Sequence, residues 1–146
     1  MIEVRPIAGD DELQAAMALR HDVFVVEQRV PLEEEYDGRD AEAEHLVAVR
    51  DGAVVGTCRL LREGDLLRLG RMAVAREARR QGVASRLLEE AERAARDAGT
   101  RGITLHAQVD ALPLYEQAGY TAYGERFLDA GIEHLAMDKP LAAADA

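Results

Sequence analysis

A single cysteine, Cys58, and a single lysine, Lys139, stand in a chain of 146 residues. One thiol can form no internal disulfide, so no cross-link framework is expected to hold the fold. Cys58 lies in Val54-Val55-Gly56-Thr57-Cys58-Arg59-Leu60-Leu61, an apolar run that predicts a space-filling side chain in or beside a strand rather than a reactive thiol. No apolar stretch approaches the roughly 20 residues of a membrane-spanning helix, and no membrane partner is expected. The start, Met1-Ile2-Glu3-Val4-Arg5, lacks the basic and then apolar profile of a secretory leader, which leads to the expectation of a cytoplasmic protein. Positive charge is scarce as well: 18 Lys and Arg against 28 Asp and Glu give a formal charge of −10. Neutralising phosphates needs a basic surface or stripe, so nucleic acid is not an expected partner. An acidic, lysine-poor surface of this kind suits hydration in concentrated salt. The patterns G-x-x-x-x-G-K and G-x-G-x-x-G are both missing, which disfavours the ordinary nucleoside-triphosphate and dinucleotide sites.

What is present suffices for one core. Hydrophobic residues make up 48% of the chain, and its length matches one domain rather than two. The expected domain spans residues 1–140, with 141–146 a frayed tail. Any active site is then built inside this core or at the interface of a homodimer.

Periodicity supplies the elements. Residues 2–7 alternate as a strand, and Gly9-Asp10-Asp11-Glu12 supplies an N-cap and acidic first turn for a helix carrying Leu13, Ala16, Met17, Arg20 and Phe24 at helical spacing. Residues 31–44, with Glu33, Glu34, Glu35, Asp37, Asp40, Glu42 and Glu44, have no period and read as a long, exposed acidic loop, either simply solvated or placed to concentrate a cationic amine. Three strands follow over 46–50, 54–61 and 66–74, turning at Asp51-Gly52 and Glu63-Gly64-Asp65. Residues 81–98 form an amphipathic helix with Ala84, Leu87, Leu88, Ala91 and Ala95 on one face, closed by Gly99. A strand at 103–107, a short helix at 111–118 and candidate strands at 121–123 and 134–137 complete the order. The long helix makes a parallel crossover, so the class is α+β: a mixed, mostly antiparallel sheet of six or seven strands with helices on both faces.

The loop Arg79-Arg80-Gln81-Gly82-Val83-Ala84 lies between a strand and the start of the long helix. Unpaired amides and the positive helix end converge there, which suits an anion. Gly82 lets backbone approach a bulky diphosphate, Ala84 is small, and Arg79 and Arg80 are expected to add charge-assisted bonds. The pattern R/Q-x-x-G-x-G/A is common by chance; its place after a strand and before a helix gives it weight. Downstream, Tyr115 sits in the short helix just beyond the strand at 103–107. Taken alone, it fits a core tyrosine as well as a catalytic one.

Met72-Ala73-Val74 ahead of Arg79 to Ala84, paired with Leu114-Tyr115-Glu116-Gln117-Ala118-Gly119-Tyr120, resembles motifs A and B of the GCN5-related N-acetyltransferases (GNAT). Phe24-Val25-Val26-Glu27-Gln28, Asp37, Asp40, His45-Leu46, Gly70-Arg71, Ala107-Gln108, Gly124 to Phe127 and Gly131 to Met137 are similar to the ElaA-like branch. The resemblance covers nearly the whole chain. It implies that the fourth and fifth strands splay apart and that acetyl-CoA lies in the wedge, its pantetheine against Met72, Ala73 and Val74 and its diphosphate on residues Arg79 to Ser85. The Met72 amide would polarise the thioester carbonyl, an amine of a small molecule or peptide would attack directly, and Tyr115 would protonate the departing thiolate. Gln108 would orient substrate or pantetheine, and Gln28, Asp37 and Arg71 would face the acceptor. Many relatives carry a carboxylate on the strand before Met72; here Arg68 and Arg71 occupy it, which leaves Glu27, Asp37, His106 and His45 as base candidates. Each histidine has a structural alternative: a strand cap for His45, a buried hydrogen-bonded ring for His106, packing under the last strand for His134. Ala84 and Tyr120 depart mildly from the commoner glycine and phenylalanine. A non-catalytic acyl-CoA sensor is the alternative reading.

Overall fold

The computed structural model describes residues 1–142 and contains one seven-stranded sheet in the order β1-β2-β3-β4-β5-β7-β6. β1 (Ile2–Pro6), β2 (Glu44–Arg50), β3 (Ala53–Glu63) and β4 (Leu66–Val74) pair antiparallel in succession. β5 (Gly102–Gln108) runs parallel to β4, while β7 (Ile132–Pro140) and β6 (Thr121–Asp129) extend the sheet antiparallel. This is the α+β class that the periodicity predicts. Asp51 and Gly52 both take positive φ, 52° and 79°, in the mirror-image turn that matches the twist of its flanking strands. Ala130 and Gly131, at 53° and 76°, make the same kind of turn between β6 and β7. Those last two strands are longer than the predicted 121–123 and 134–137, because an Ala-Gly turn carries a weaker sequence signal than Asp-Gly.

Helices cover both faces. α3 (Val83–Asp97) lays Val83, Leu87, Leu88, Ala91 and Ala95 on the sheet, all buried. It comes so close that a Cβ on Gly56 would sit 2.6 Å from the Val83 side chain and 3.3 Å from Ala48 Cβ. Gly56, Cys58 and Leu60 alternate along β3 toward α3, and Thr57, Arg59 and Leu61 toward the opposite face, where α1 (Asp10–Arg20) packs. Burial on both sides makes β3 a continuous buried run from Val55 to Leu61. Cys58 is 1% exposed there, and burial pushes its thiol up to about 12, which makes it the inert core residue the sequence predicts. α1 continues into a wider, π-helical stretch, His21–Glu27, that carries Phe24 and Glu27 toward the sheet's open end.

The acidic segment corrects part of its expectation. Residues 31–44 are largely exposed, as expected, but not without structure: they contain α2 (Leu32–Glu35) and a 3-10 turn, Asp40–Glu42, and Glu35 is 1% exposed. The reason lies on α1, where Arg20 occupies an inward position of the helical stripe, is equally buried, and draws carboxylates onto itself. The expected tail is also partly tied down, since the Leu141 amide donates to the Arg101 carbonyl at 2.8 Å. Residues 143–146 of that tail lie outside the described residues. Among the described residues no helix is long and apolar enough to cross a membrane.

Two irregularities open the sheet. β4 and β5 pair only from Leu66↔Gly102 to Leu69↔Leu105, although β4 runs on to Val74 and β5 to Gln108. In the same stretch Thr57 pairs with Ala73 and Arg59 with Gly70, leaving Arg71 and Met72 together opposite Cys58. That bulge puts Arg71 at φ 55° and bends β4 away from its parallel neighbour.

Candidate active site

A cleft of ≈ 910 Å³ follows the splay from the start of α3 to the open end of β5. At its α3 end, Gly82 has φ 80°, a left-handed conformation that favours glycine, and open space where a side chain would project. No side chain caps α3, and its first backbone bond is Arg86 N–H to the Gly82 carbonyl at 3.1 Å. The amides of Val83, Ala84 and Ser85 therefore precede the helical ladder without an acceptor in it, the arrangement that suits an anion. These residues fit a diphosphate.

The side chains of the loop behave differently from the backbone. Arg79 Nε donates to the Val74 carbonyl at 3.0 Å, and its two terminal nitrogens form a fork with Glu27 at 2.8 and 2.7 Å. Arg79 thus fastens the loop to β4 and to the end of the π-helical stretch. Gln81 is similarly engaged, by Arg50 at 2.8 Å and by the Glu77 carbonyl at 3.1 Å. Arg80 is exposed, with φ 62°.

Midway, Gly70 to Val74 line the cleft on the β4 side, where the strand has lost β5 as a partner. Beyond β5 a 3-10 turn, Val109–Ala111, leads directly into α4 (Leu112–Gln117), started by Pro113 in its first turn. α4 places Tyr115 at the cleft, 6% exposed and edge-on to Tyr120 with ring centroids 6.0 Å apart. Burial, and secondarily Cys58, raises its phenol above the ordinary tyrosine range. Its hydroxyl makes no hydrogen bond to a described residue and is not sealed from the cleft. Such a group holds its proton until a strong base forms beside it.

Residues 10–141 match the model of the acetyltransferase (GNAT) domain. The chain belongs to the GNAT acetyltransferase family. It is 40% identical over 132 residues to the uncharacterized N-acetyltransferase YjcF of Bacillus subtilis, covering 90% of this chain and 94% of that protein. The crystal structure of Escherichia coli ElaA superposes with a TM-score of 0.85 at 25% identity, over 95% of this chain and 99% of that one. An acyl-CoA N-acyltransferase from Pseudomonas aeruginosa gives the same TM-score at 32% identity, again over 95% and 99%. This GNAT protein is accordingly an acyl-CoA-dependent acyltransferase on the ElaA-like branch.

Along the cleft wall facing α2, three arginines and three carboxylates of the GNAT domain interlock, leaving Glu35 Oε2 and Arg59 Nε buried without a hydrogen-bond partner among the described residues. Glu35 Oε1 accepts from Arg20 at 2.9 Å and from Arg71 at 2.8 Å. Asp40 binds Arg20 at 2.7 Å and Arg59 at 3.1 Å. Asp37 takes both terminal nitrogens of Arg59 and lies 3.4 Å from Arg71. Arg71 further donates to the carbonyls of Glu34 and Glu35 at 3.2 and 3.0 Å, so the bulge of β4 is tied to α2. Arg59 holds the Asp37 carboxyl well below the usual range; at Asp40 burial pushes the other way but Arg20 and Arg59 outweigh it. Glu27, paired with Arg79, is also lowered.

The cleft brings together Glu27, Gln28, Asp37, Arg71, His106, Gln108 and Tyr115. Gln108 Nε2 donates to Gln28 Oε1 at 2.8 Å, joining β5 to the π-helical stretch across the open end. His45 stays outside: it is buried, with Nε2 3.0 Å from the Asp40 carbonyl, in a structural role. His106 is not the buried, hydrogen-bonded ring of the alternative reading. Its residue surface is exposed and its ring is edge-on to Phe127 at 4.9 Å; partial desolvation of the ring, and then Arg68, lower its pKa. Sequence reasoning missed Glu35 and Arg59, whose importance depends on tertiary pairing, and it placed His134 only as packing, whereas that ring lines the cleft.

Proposed function

We propose that this acyltransferase moves the acetyl group of acetyl-CoA to the primary amine of a small molecule or peptide, by direct attack while both substrates are bound. The continuity of the cleft carries the reading: one channel links the free amides at the start of α3, the unpartnered edge of β4 and the hydroxyl of Tyr115. In this reading Gly82, Val83, Ala84 and Ser85 hold the diphosphate through main-chain N–H groups, and exposed Arg80 adds charge. Met72, Ala73 and Val74 offer the main chain of β4 to pantetheine, and the Met72 amide is the donor nearest the bulge for the thioester oxygen. Acetyl-CoA supplies an activated carbonyl and a thiolate leaving group. Tyr115 gives its proton to that sulfur. Glu27 fixes Arg79 and through it the loop, while Asp37 and Arg71 hold the acceptor wall in shape. Ion pairing keeps Glu27 and Asp37 ionised and weakly basic, so proton removal from the amine falls to the imidazole side of the cleft, lined by His106 and His134. A cytoplasmic setting, where acyl-CoA thioesters are made, fits this chemistry.

Thiol release from acetyl-CoA over a panel of amino acids, polyamines, arylalkylamines and short peptides, together with calorimetric titration of acetyl-CoA, tests the proposal. Turnover on at least one amine is expected, and Tyr115→Phe should lower kcat by about 10²-fold with donor affinity unchanged. Donor binding without turnover on any amine would point instead to a sensor.

A further inference from the structure

Two imidazoles, not one, face the acceptor end of the cleft. His106 on β5 and His134 on β7 flank Phe127 of β6: the first edge-on at 4.9 Å, the second stacked at 5.8 Å with 23° between planes. They differ in how they are held. His134 Nδ1 lies 2.7 Å from the Ile132 carbonyl oxygen. A carbonyl only accepts, so Nδ1 carries the hydrogen and the neutral ring has its lone pair on Nε2. That Nε2 has no hydrogen-bond partner among the described residues, yet it is not among the polar atoms sealed from solvent, and the residue lines the cleft. His134 is 8% exposed, and stacking on Phe127 fixes its ring plane. In register it stands opposite Gln108, beyond Leu105 where β5 has parted from β4. His106 has neither a fixed tautomer nor a hydrogen bond that orients it.

We infer that His134, through Nε2, is the base that takes a proton from the acceptor ammonium. The inference rests on the acetyltransferase reading and assigns a residue that reading leaves open. The ammonium gives one proton to Nε2, leaving a neutral amine and an imidazolium stabilised by the Ile132 carbonyl. The amine nitrogen forms its bond to the acetyl carbon as the carbon–sulfur bond breaks. Sulfur takes the Tyr115 proton, and the second amine proton returns to the Tyr115 oxygen. The one net proton, on His134, leaves to solvent. The geometry parallels a general base whose far nitrogen is oriented by a hydrogen bond. The charged and titratable groups around this end are His106 on β5 and Asp129 on β6, with Arg68 and Glu63 reaching His106 from β4 and β3.

Asparagine can reproduce the Nδ1–H donor to Ile132 but has no basic nitrogen, so His134→Asn separates structure from chemistry. Its kcat/KM for the amine should fall about 10²-fold near neutral pH and recover toward wild type as alkaline pH supplies free amine. The KM for acetyl-CoA and the melting temperature should stay put, and His106→Asn should cost much less. In the protein without substrate, long-range nitrogen–proton NMR should find neutral His134 protonated on Nδ1. An unaltered pH profile in His134→Asn, the full loss in His106→Asn instead, or an Nε2–H tautomer would each overturn the assignment. Wild-type inactivity on every amine would fell the transferase reading, and this assignment with it, whereas wild-type turnover unaffected by His134→Asn would fell only the assignment.

Discussion

Replacing Glu35 by alanine removes one carboxylate from two guanidiniums at once. Arg20 and Glu35 are each 1% exposed, so their pair sits where water cannot compensate, while Arg71 is 24% exposed. Breaking a buried pair from one side costs about 3–5 kcal/mol, because the remaining charge is stranded. Arg20 keeps Asp40 at 2.7 Å and Arg71 keeps two carbonyl acceptors, which points to the lower end, about 3 kcal/mol. For a domain near this length, each kcal/mol lowers the melting temperature by about 2–4 °C, giving a fall of roughly 6–12 °C. Urea and thermal unfolding followed by circular dichroism would measure it. The deficit should persist at 1 M salt, unlike one from an exposed pair, since a buried interaction is barely screened. Because Arg71 anchors the bulge to α2, acetyl-CoA affinity should weaken as well. A loss below about 1 kcal/mol, or one erased by salt, would refute the idea that this ion set organises the acceptor wall.

Gly82→Ala should weaken acetyl-CoA binding at least tenfold in calorimetry, since φ 80° strains any L side chain and the new methyl projects into the diphosphate cradle; unchanged affinity would contradict the loop's role. Glu27→Gln, which loosens Arg79, should raise the KM for acetyl-CoA several-fold and leave the acidic limb of the kcat profile in place; loss of that limb would make Glu27 the base. Acid should destabilise the protein in a defined window. Arg5 pulls Glu12 down to about 2, and Asp37 and Asp40 are also lowered, so their folded values lie below their unfolded ones. The stability they contribute is fully present above the unfolded values, near pH 4, and is lost as pH falls through the folded values. The melting temperature should therefore hold between pH 7 and pH 5 and drop toward pH 2. Asp37→Asn should show a shallower acid decline, and an identical slope would contradict the assignment.

Local patterns made much of this legible. Alternation, the Asp51-Gly52 turn and the apolar stripe of α3 depend on near neighbours in sequence, and each predicted element is present, all but the last two strands within a few residues of the expected bounds. Gly82 was legible because it stands in a loop between a strand and the start of a helix, whereas its left-handed φ is visible only in the structure. The bulge at Arg71 and Met72 was not, because it arises from a mismatch of register between β3 and β4 that neither strand carries alone. Within residues 31–44 the burial of Glu35 and the pairing of Asp37 and Asp40 were hidden for a related reason: they arise only when Arg20, Arg59 and Arg71, from three other elements, are brought against the segment. Likewise the free lone pair of His134 follows from one carbonyl two residues earlier, a contact that exists only in the folded hairpin.

Amide hydrogen exchange with and without acetyl-CoA tests the central claim most directly. Protection should rise in two separate stretches, Met72 to Val74 on the open edge of β4 and Gly82 to Ser85 at the start of α3, with Tyr115 to Ala118 slowed beside them. Protection confined to other surfaces, or none at saturating acetyl-CoA, would contradict the claim that the splayed strands and the helix start form one donor site.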